Sequence, residues 1–246
     1  MPPLGRQVGG SPQDDDAKNM FDRIGKIVHD QVKSESNGFK DELKGNLTSS
    51  IFFGGERANS LNPCTLVEEY RKKTLGTVDN NNPCRKDGTG KEEVNRFSVK
   101  EQAEYDNKKI KCSNGRDFGA CAPYRRLSLC NKNLVKMDTN NNDGKAKHDL
   151  LAEVCYAAKY EGESITQNHG KYQLSYPGSQ ICTMLARSFA DIGDIVRGRD
   201  LYLGDNRKDR EQKQKLQENL NKIFNDIKKN NQSKLGRLSL DQIREY

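Results

Sequence analysis

Ala186-Arg-Ser-Phe-Ala-Asp-Ile-Gly-Asp-Ile-Val-Arg-Gly-Arg-Asp-Leu201 is the stretch that decides the fold. Taken with the residues before it, Ile181, Leu185, Phe189, Ile192 and Val196 recur at steps of three or four. That spacing lays one apolar face along a helix over 178–197. Arg187 with Asp191, and Asp194 with Arg197, can pair along the polar side at spacings of four and three. The stretch therefore predicts a core helix of a bundle rather than a surface that grips a partner.

The same period extends to both sides. Leu151, Val154, Cys155 and Ala158 share a face over 148–160. Leu216, Leu220, Ile223, Phe224 and Ile227 mark a helix over 209–229. Three amphipathic helices in about a hundred residues read as part of a helical bundle. No sustained alternation of the kind a sheet requires is present, and no long internal repeat. At the N-terminal end Ser11 suits a helix cap, Pro12 the first helical position and Asp14 the capping-box acid. Asp14, Asp15 and Asp16 also face the positive end of the helix dipole. Phe21, Ile24, Val28 and Val32, widened by Met20 and Ile27, form a stripe that predicts docking on the body. A linker is expected over 38–62, with Gly45, Gly54 and Gly55 as breakers. A short helix carrying Leu66, Val67 and Tyr70 follows Pro63, and asparagine tracts at 79–82 and 139–143 punctuate an irregular region.

Composition narrows the function classes. The 246 residues are 33% hydrophobic and 31% charged, with a formal net charge of +7. Much of the chain must therefore be loop or solvated helix. Over 108–136 the cations Lys108, Lys109, Lys111, Arg116, Arg125, Arg126, Lys132 and Lys136 face Asp117 alone, an excess equal to that of the whole chain. This segment is the candidate contact for an anionic partner. Tyr124 and Asn131 within it can stack on or hydrogen-bond a sugar. Arg125 and Arg126 lie beside Cys121 and Cys130, and their reading is open between partner contact and internal anchor. On the basic helix over 207–229, Lys208, Lys215, Lys222 and Lys229 stand seven apart. The favourable pairs Glu211–Lys215 and Glu218–Lys222, and the reversed Lys222–Asp226, predict a self-neutralising solvent face.

The seven cysteines are Cys64, Cys84, Cys112, Cys121, Cys130, Cys155 and Cys182. None forms Cys-x-x-Cys, and His29, His148 and His169 offer no close ligand pair, so no metal is expected. Four cysteines lie over 84–130, in a stretch too polar to bury a core of its own. Disulfides take the place of that core, each worth about 2–4 kcal/mol. They also place the chain outside the cell. The odd count leaves one thiol unpaired or joined to a partner elsewhere. The stretch from Asp138 to Gly144 resembles a calcium loop, but neither register gives both the glycine and the terminal glutamate an EF-hand requires. No nucleotide-binding glycine motif is present. The histidines sit in polar, unpatterned settings, so neither an enzyme nor a cofactor is expected. No run of 18 apolar residues exists to span a membrane, and residues 1–11 lack the apolar stretch of an ordinary secretory signal. Sequons at Asn46 and Asn231 are common accidents in an asparagine-rich chain.

Three motifs carry a resemblance: Gly119-Ala-Cys121-Ala-Pro-Tyr-Arg-Arg-Leu127, Leu151-Ala-Glu-Val-Cys155-Tyr-Ala-Ala-Lys-Tyr-Glu-Gly162, and the opening stretch. Together they resemble the alpha-class Duffy-binding-like domain of the Plasmodium falciparum erythrocyte membrane protein 1 adhesins. Asn62-Pro63-Cys64 is similar to the start of that domain, and the residues before it to the family's N-terminal segment. The resemblance implies an all-α fold with a loop-rich, disulfide-held first subdomain and a partial helical bundle as second subdomain. It implies an N-terminal segment over 1–60, a first subdomain over 61–144 and a second over 145–246. The family continues with a tryptophan pair and further cysteines; this chain has no tryptophan and is read as a truncated fragment.

The function expected from the resemblance is adhesion at the surface of the infected erythrocyte. Its partners would be host glycans or glycoproteins on erythrocytes or endothelium, including heparan sulfate-like or blood-group glycans that underlie rosetting, and antibodies. Nucleic acid is not an expected partner, and a membrane is reached only through downstream regions. The glycan-binding residues expected are Lys108, Lys109, Lys111, Arg116, Lys132 and Lys136. The alternative is an antigenically variable scaffold that contacts no receptor. A Cys155–Cys182 bridge between two bundle helices is expected, and the other pairings stay open.

Overall fold

The computed structural model describes residues 17–49, 62, 65–67, 82–84, 110–113, 119–137, 139, 144, 146–204 and 207–245. The elements among them are α1 (Ala17–Ser36), α2 (Lys40–Leu43), a 3-10 turn (Leu47–Ser49), β1 (Ile110–Cys112), β2 (Cys121–Pro123), α3 (Tyr124–Leu127), α4 (Lys132–Val135), α5 (Ala146–Ser175), α6 (Ile181–Arg197), α7 (Arg207–Asn230), α8 (Gln232–Leu235) and α9 (Leu240–Glu245). Among the described residues the architecture is all-α apart from one two-stranded hairpin.

Helices α5, α6 and α7 build the bundle, and their sequences explain their order of burial. Alternation of Leu216, Leu220, Ile223, Phe224 and Ile227 with charged residues buries one side of α7, as the spacing predicts. Leu150 of α5, Ile192 and Ile195 of α6, Leu134 of α4, Leu235 of α8 and Ile243 of α9 complete that core. On α6 the buried face differs from the predicted one. Met184, Ser188, Ile192 and Ile195 are buried, whereas Phe189 remains 43% exposed. Ile181, Leu185 and Val196 are only partly buried. The buried face is thus rotated from the hydrophobic stripe and centred on fully buried Ser188.

Helix α5 runs well beyond the predicted 148–160 and is packed on more than one side. Val154 joins the main core, while Leu151 and Cys155 pack against Leu47, Leu66 and Ala152. Further along, Ile165 and Tyr172 meet Met184, with Tyr176 stacked on Tyr172 at 4.6 Å between ring centroids. A helix covered from several directions shows no single apolar stripe, which is why the predicted face captured only part of its burial.

The expected linker is in fact docked over its described part. Leu47 is buried, and Gly45 lies so close to α5 that an added Cβ would come within 2.8 Å of the Lys147 carbonyl. The Asn46 amide donates to His148 Nδ1 at 2.8 Å, and Lys147 Nζ donates to the Glu42 carbonyl at 2.9 Å. Residues 65–67 form the predicted helical turn, with Leu66 and Val67 buried. The stripe of α1 is not docked as predicted: Phe21, Ile24, Ile27 and Val28 are between 46% and 65% exposed. The caps at Ser11, Pro12 and Asp14, together with Tyr70, Cys64 and most of 138–143, lie outside the described residues.

Among the described residues two disulfides form, Cys84–Cys130 and Cys112–Cys121. The expected Cys155–Cys182 bridge does not. Cys155 faces the cluster around Leu47, whereas Cys182 is exposed at the start of α6. Cys155 lies 20 residues before the end of α5, about 30 Å along the helix. Cys182 stands at the start of the next helix, beyond that end.

Candidate glycan-contact surface

The basic segment is built on the hairpin. Antiparallel pairing sets Ile110 opposite Pro123, Lys111 opposite Ala122 and Cys112 opposite Cys121, so the disulfide staples directly opposed residues. Lys111 on β1 is exposed, as is Lys136 after α4. Lys108, Lys109 and Arg116 lie outside the described residues. Lys132 is half-buried at the start of α4, where its amide donates to the Pro83 carbonyl at 3.1 Å. Burial pushes its ammonium below the usual lysine range; Asp209 opposes that, while Arg126 and Lys208 add to it. The described lysines are therefore of two kinds: Lys111 and Lys136 face solvent, and Lys132 stands in a crowded cation neighbourhood.

Arg125 and Arg126 resolve toward architecture. Arg125 is buried and pairs with Asp191 of α6, which displaces the predicted Arg187–Asp191 contact. The predicted Asp194–Arg197 pair does form, at 2.7 Å. Arg126 pairs with Asp200, which also accepts from Lys213 at 2.7 Å. Burial raises the Asp200 carboxyl, yet Arg126 and Lys213 outweigh it and hold the group below the usual carboxylate range. Lys213 also falls below its ordinary value, because burial and the nearby Arg126 outweigh its carboxylate. Asp191 goes the other way: burial raises it, and Arg125 offsets that only in part. Two further ties join the same elements. The Cys130 amide donates to Glu161 Oε2 at 2.9 Å, and Asn133 Nδ2 donates to Glu153 at 2.8 Å.

The outer face of α7 is not self-neutralised in the predicted way. Glu211 pairs backward with Arg207 at 2.7 Å rather than forward with Lys215. Glu218 accepts from the Gln214 amide at 2.9 Å rather than meeting Lys222. Asp226 buries Oδ2 without a hydrogen bond instead of pairing with Lys222.

The ties between residues 121–133 and α5–α6 lie within a stretch that matches a known family. The Duffy binding domain family matches residues 119–245, just over half of the chain. The chain belongs to that family. The N-terminal segments of PfEMP1 match residues 16–50. Together they make this chain a PfEMP1-type N-terminal segment followed by Duffy-binding sequence. The family is one of adhesion domains and not an enzyme class.

Among solved structures, the N-terminal NTS-DBL1-alpha and CIDR-gamma double domain of PfEMP1 from the Plasmodium falciparum varO strain is 31% identical, with a TM-score of 0.61. The match covers 87% of this chain and 30% of that one. The NTS-DBL1(alpha-1) domain from the same strain is 30% identical with a TM-score of 0.54, over 96% of this chain and 45% of that one. The DBLb domain of a PfEMP1 bound to human ICAM-1 shares the fold, with 21% identity and a TM-score of 0.56, over 100% of this chain and 50% of that one. The chain thus spans half or less of the solved relatives' length. A comparison with curated proteins gives no match. Among the described residues no helix is long and apolar enough to cross a membrane.

Proposed function

We propose that this Duffy-binding chain is part of the receptor-binding head of an adhesin on the infected erythrocyte. It binds host cell-surface glycans or glycoproteins on erythrocytes or endothelium, and its work is binding rather than catalysis. The match of residues 119–245 to an adhesion-domain family carries this reading. A relative of the same fold bound to human ICAM-1 supports a host surface molecule as partner. Heparan sulfate-like or blood-group glycans are the ligand class, contacted by Lys111 and Lys136 with Lys108, Lys109, Arg116 and Lys132 of the same segment. Within this reading residues 1–60 are the N-terminal segment, 61–144 a first subdomain and 145–246 a second.

The scaffold reading has one observation in its favour. Arg125, Arg126 and Lys132 are turned to internal work or half-buried, so the segment offers fewer outward cations than its sequence suggests. A scaffold would present loops to antibodies and contact no receptor. The test compares heparin and erythrocyte binding of the oxidised chain with that of a variant carrying Lys108, Lys109, Lys111 and Lys132 changed to Glu. The adhesin reading expects binding by the parent and a clear loss in the variant. Equal retention removes the site assignment, and a parent that binds neither favours the scaffold.

A further inference from the structure

Lys208, Lys215, Lys222 and Lys229 stand seven residues apart on α7, and all four are exposed. A helix rises about 1.5 Å per residue, so successive members are about 10 Å apart and the row spans about 32 Å. Seven residues fall about 20° short of two turns, so the row drifts by about 60° and stays one stripe. The other lysines of the helix are used internally: Lys213 pairs with Asp200, and Lys228 Nζ donates to the Leu238 carbonyl at 2.7 Å. The stripe lysines have no such work. Among the described residues none of the four makes an ion pair, because Glu211 is held by Arg207 and Asp226 turns an oxygen inward. Glu211, held by Arg207, and Glu218, bound by the Gln214 amide, are the anions exposed on that face.

The residues between the lysines narrow the partner. Gln214, Asn221 and Asn225 are exposed beside the row. The Gln214 amide donates to Glu218 and Asn221 Oδ1 accepts from Arg244 at 2.8 Å, and each side chain keeps a further donor or acceptor, as Asn225 does in full. No aromatic or large apolar side chain is exposed along α7. Base stacking needs aromatic faces, and interfacial membrane binding needs an apolar face; this surface offers neither. Regularly spaced cations with interleaved amides suit a linear chain bearing both anionic groups and hydroxyls. The disulfides place that chain outside the cell.

We propose that the outer face of α7 is a track for an anionic polysaccharide. Lys208, Lys215, Lys222 and Lys229 engage its sulfate or carboxylate groups, and Gln214, Asn221 and Asn225 its hydroxyls. The inference rests on the glycan reading above and gives it a second surface, separate in sequence from 108–136.

The experiment titrates a size-defined heparin oligosaccharide against the oxidised chain over a range of salt concentrations. One variant changes the four stripe lysines to Glu. A control makes the same charge change at Lys33, Lys40, Lys44 and Lys171, which are exposed elsewhere. A third, with the stripe lysines changed to Gln, serves if the Glu variant loses its helical circular dichroism. The stripe variants are expected to bind at least about tenfold more weakly. The slope of log affinity against log salt should shrink by about three, since each lysine that neutralises an anionic group on a polyanion adds roughly 0.7–0.9 to it. The control should retain most of the parent's affinity and slope. Equal losses in stripe and control variants assign the effect to net charge and overturn the track. A stripe variant that binds like a binding parent overturns the track and leaves the glycan reading intact. A parent that does not bind heparin overturns both. Single-stranded DNA binding as tightly through the same lysines overturns the polysaccharide assignment.

Discussion

Changing Asp200 to alanine should destabilise the fold well beyond what a surface ion pair is worth. The Asp200 side chain is 9% exposed, and its partners Arg126 and Lys213 are 15% and 16% exposed. Exposed pairs contribute about 0–1 kcal/mol, whereas removing one member of a buried pair costs about 3–5 kcal/mol because a charge is stranded. Asp200 answers two cations, while those cations keep a little water. The expected loss is therefore about 3 kcal/mol, at the lower end of that range. Urea unfolding followed by circular dichroism reads it directly as a lowered midpoint at unchanged slope. Adding Lys213→Met to Asp200→Ala should recover about 1 kcal/mol, since one stranded charge is removed. The pH dependence has a fixed sign. Asp200 sits below its unfolded value of about 3.9, so its contribution is present above that pH and is lost as pH falls through the folded value. Asp191 sits above its ordinary value, so its contribution is fullest at low pH and declines as pH rises through the folded value. Acid loss in the parent, absent from Asp200→Ala, therefore belongs to Asp200. A cost of less than about 1 kcal/mol, or an unchanged acid profile, would refute the reasoning.

Three further outcomes follow from the packing. Phe189→Ser should cost less than about 1 kcal/mol and Ile192→Ala about 2–4 kcal/mol, because α6 exposes the first and buries the second; equal costs in urea unfolding would restore the predicted stripe. Under native conditions a maleimide should label Cys182 rapidly, as read by peptide mass spectrometry, and recovery of a Cys155–Cys182 peptide would contradict its exposure. Replacing both cysteines of Cys84–Cys130 should cost about 4 kcal/mol and of Cys112–Cys121 about 3 kcal/mol, from closed loops spanning separations of 46 and 9 residues. Equal denaturant shifts for the two double variants would count against the loop-closure account.

How far the fold could be read from sequence depended on how each helix is covered. Helix α7 has one buried side and a charged remainder, and its stripe named the buried residues correctly. On α6 the largest side chain misled. Phe189 drew the predicted face toward itself, whereas the centre of the contact is fully buried Ser188. Size raises the transfer free energy of a side chain but does not decide which side of a helix meets its neighbour. Helix α5 could be recognised as helical without its face being assignable, because it is buried toward several neighbours. The disulfide pairings were not legible, since spacing leaves many connectivities open. The candidate contact surface was legible only as a charge excess. Nothing in the spacing of Arg125 and Arg126 says that their carboxylates lie 66 and 74 residues later.

Those long-range pairs explain why the motifs that identify the family are poor candidates for gripping a partner. Arg125 and Arg126 belong to the first motif, and Asp191 and Asp200 to the third. Glu153 and Glu161 belong to the second and hold Asn133 and the Cys130 amide. Each motif supplies one half of a buried polar contact whose other half lies in a different stretch. Replacing either half alone leaves a buried charge or donor unsatisfied, at a cost of several times the net worth of the contact. Such positions resist change singly, whatever the partner outside. An exposed lysine on α7 or β1 carries no such penalty, because its ammonium returns to water when a neighbour is altered. On the adhesin reading proposed above, receptor choice can therefore vary on the outer faces while the paired interior keeps the fold, and a search for contact residues belongs on those outer faces.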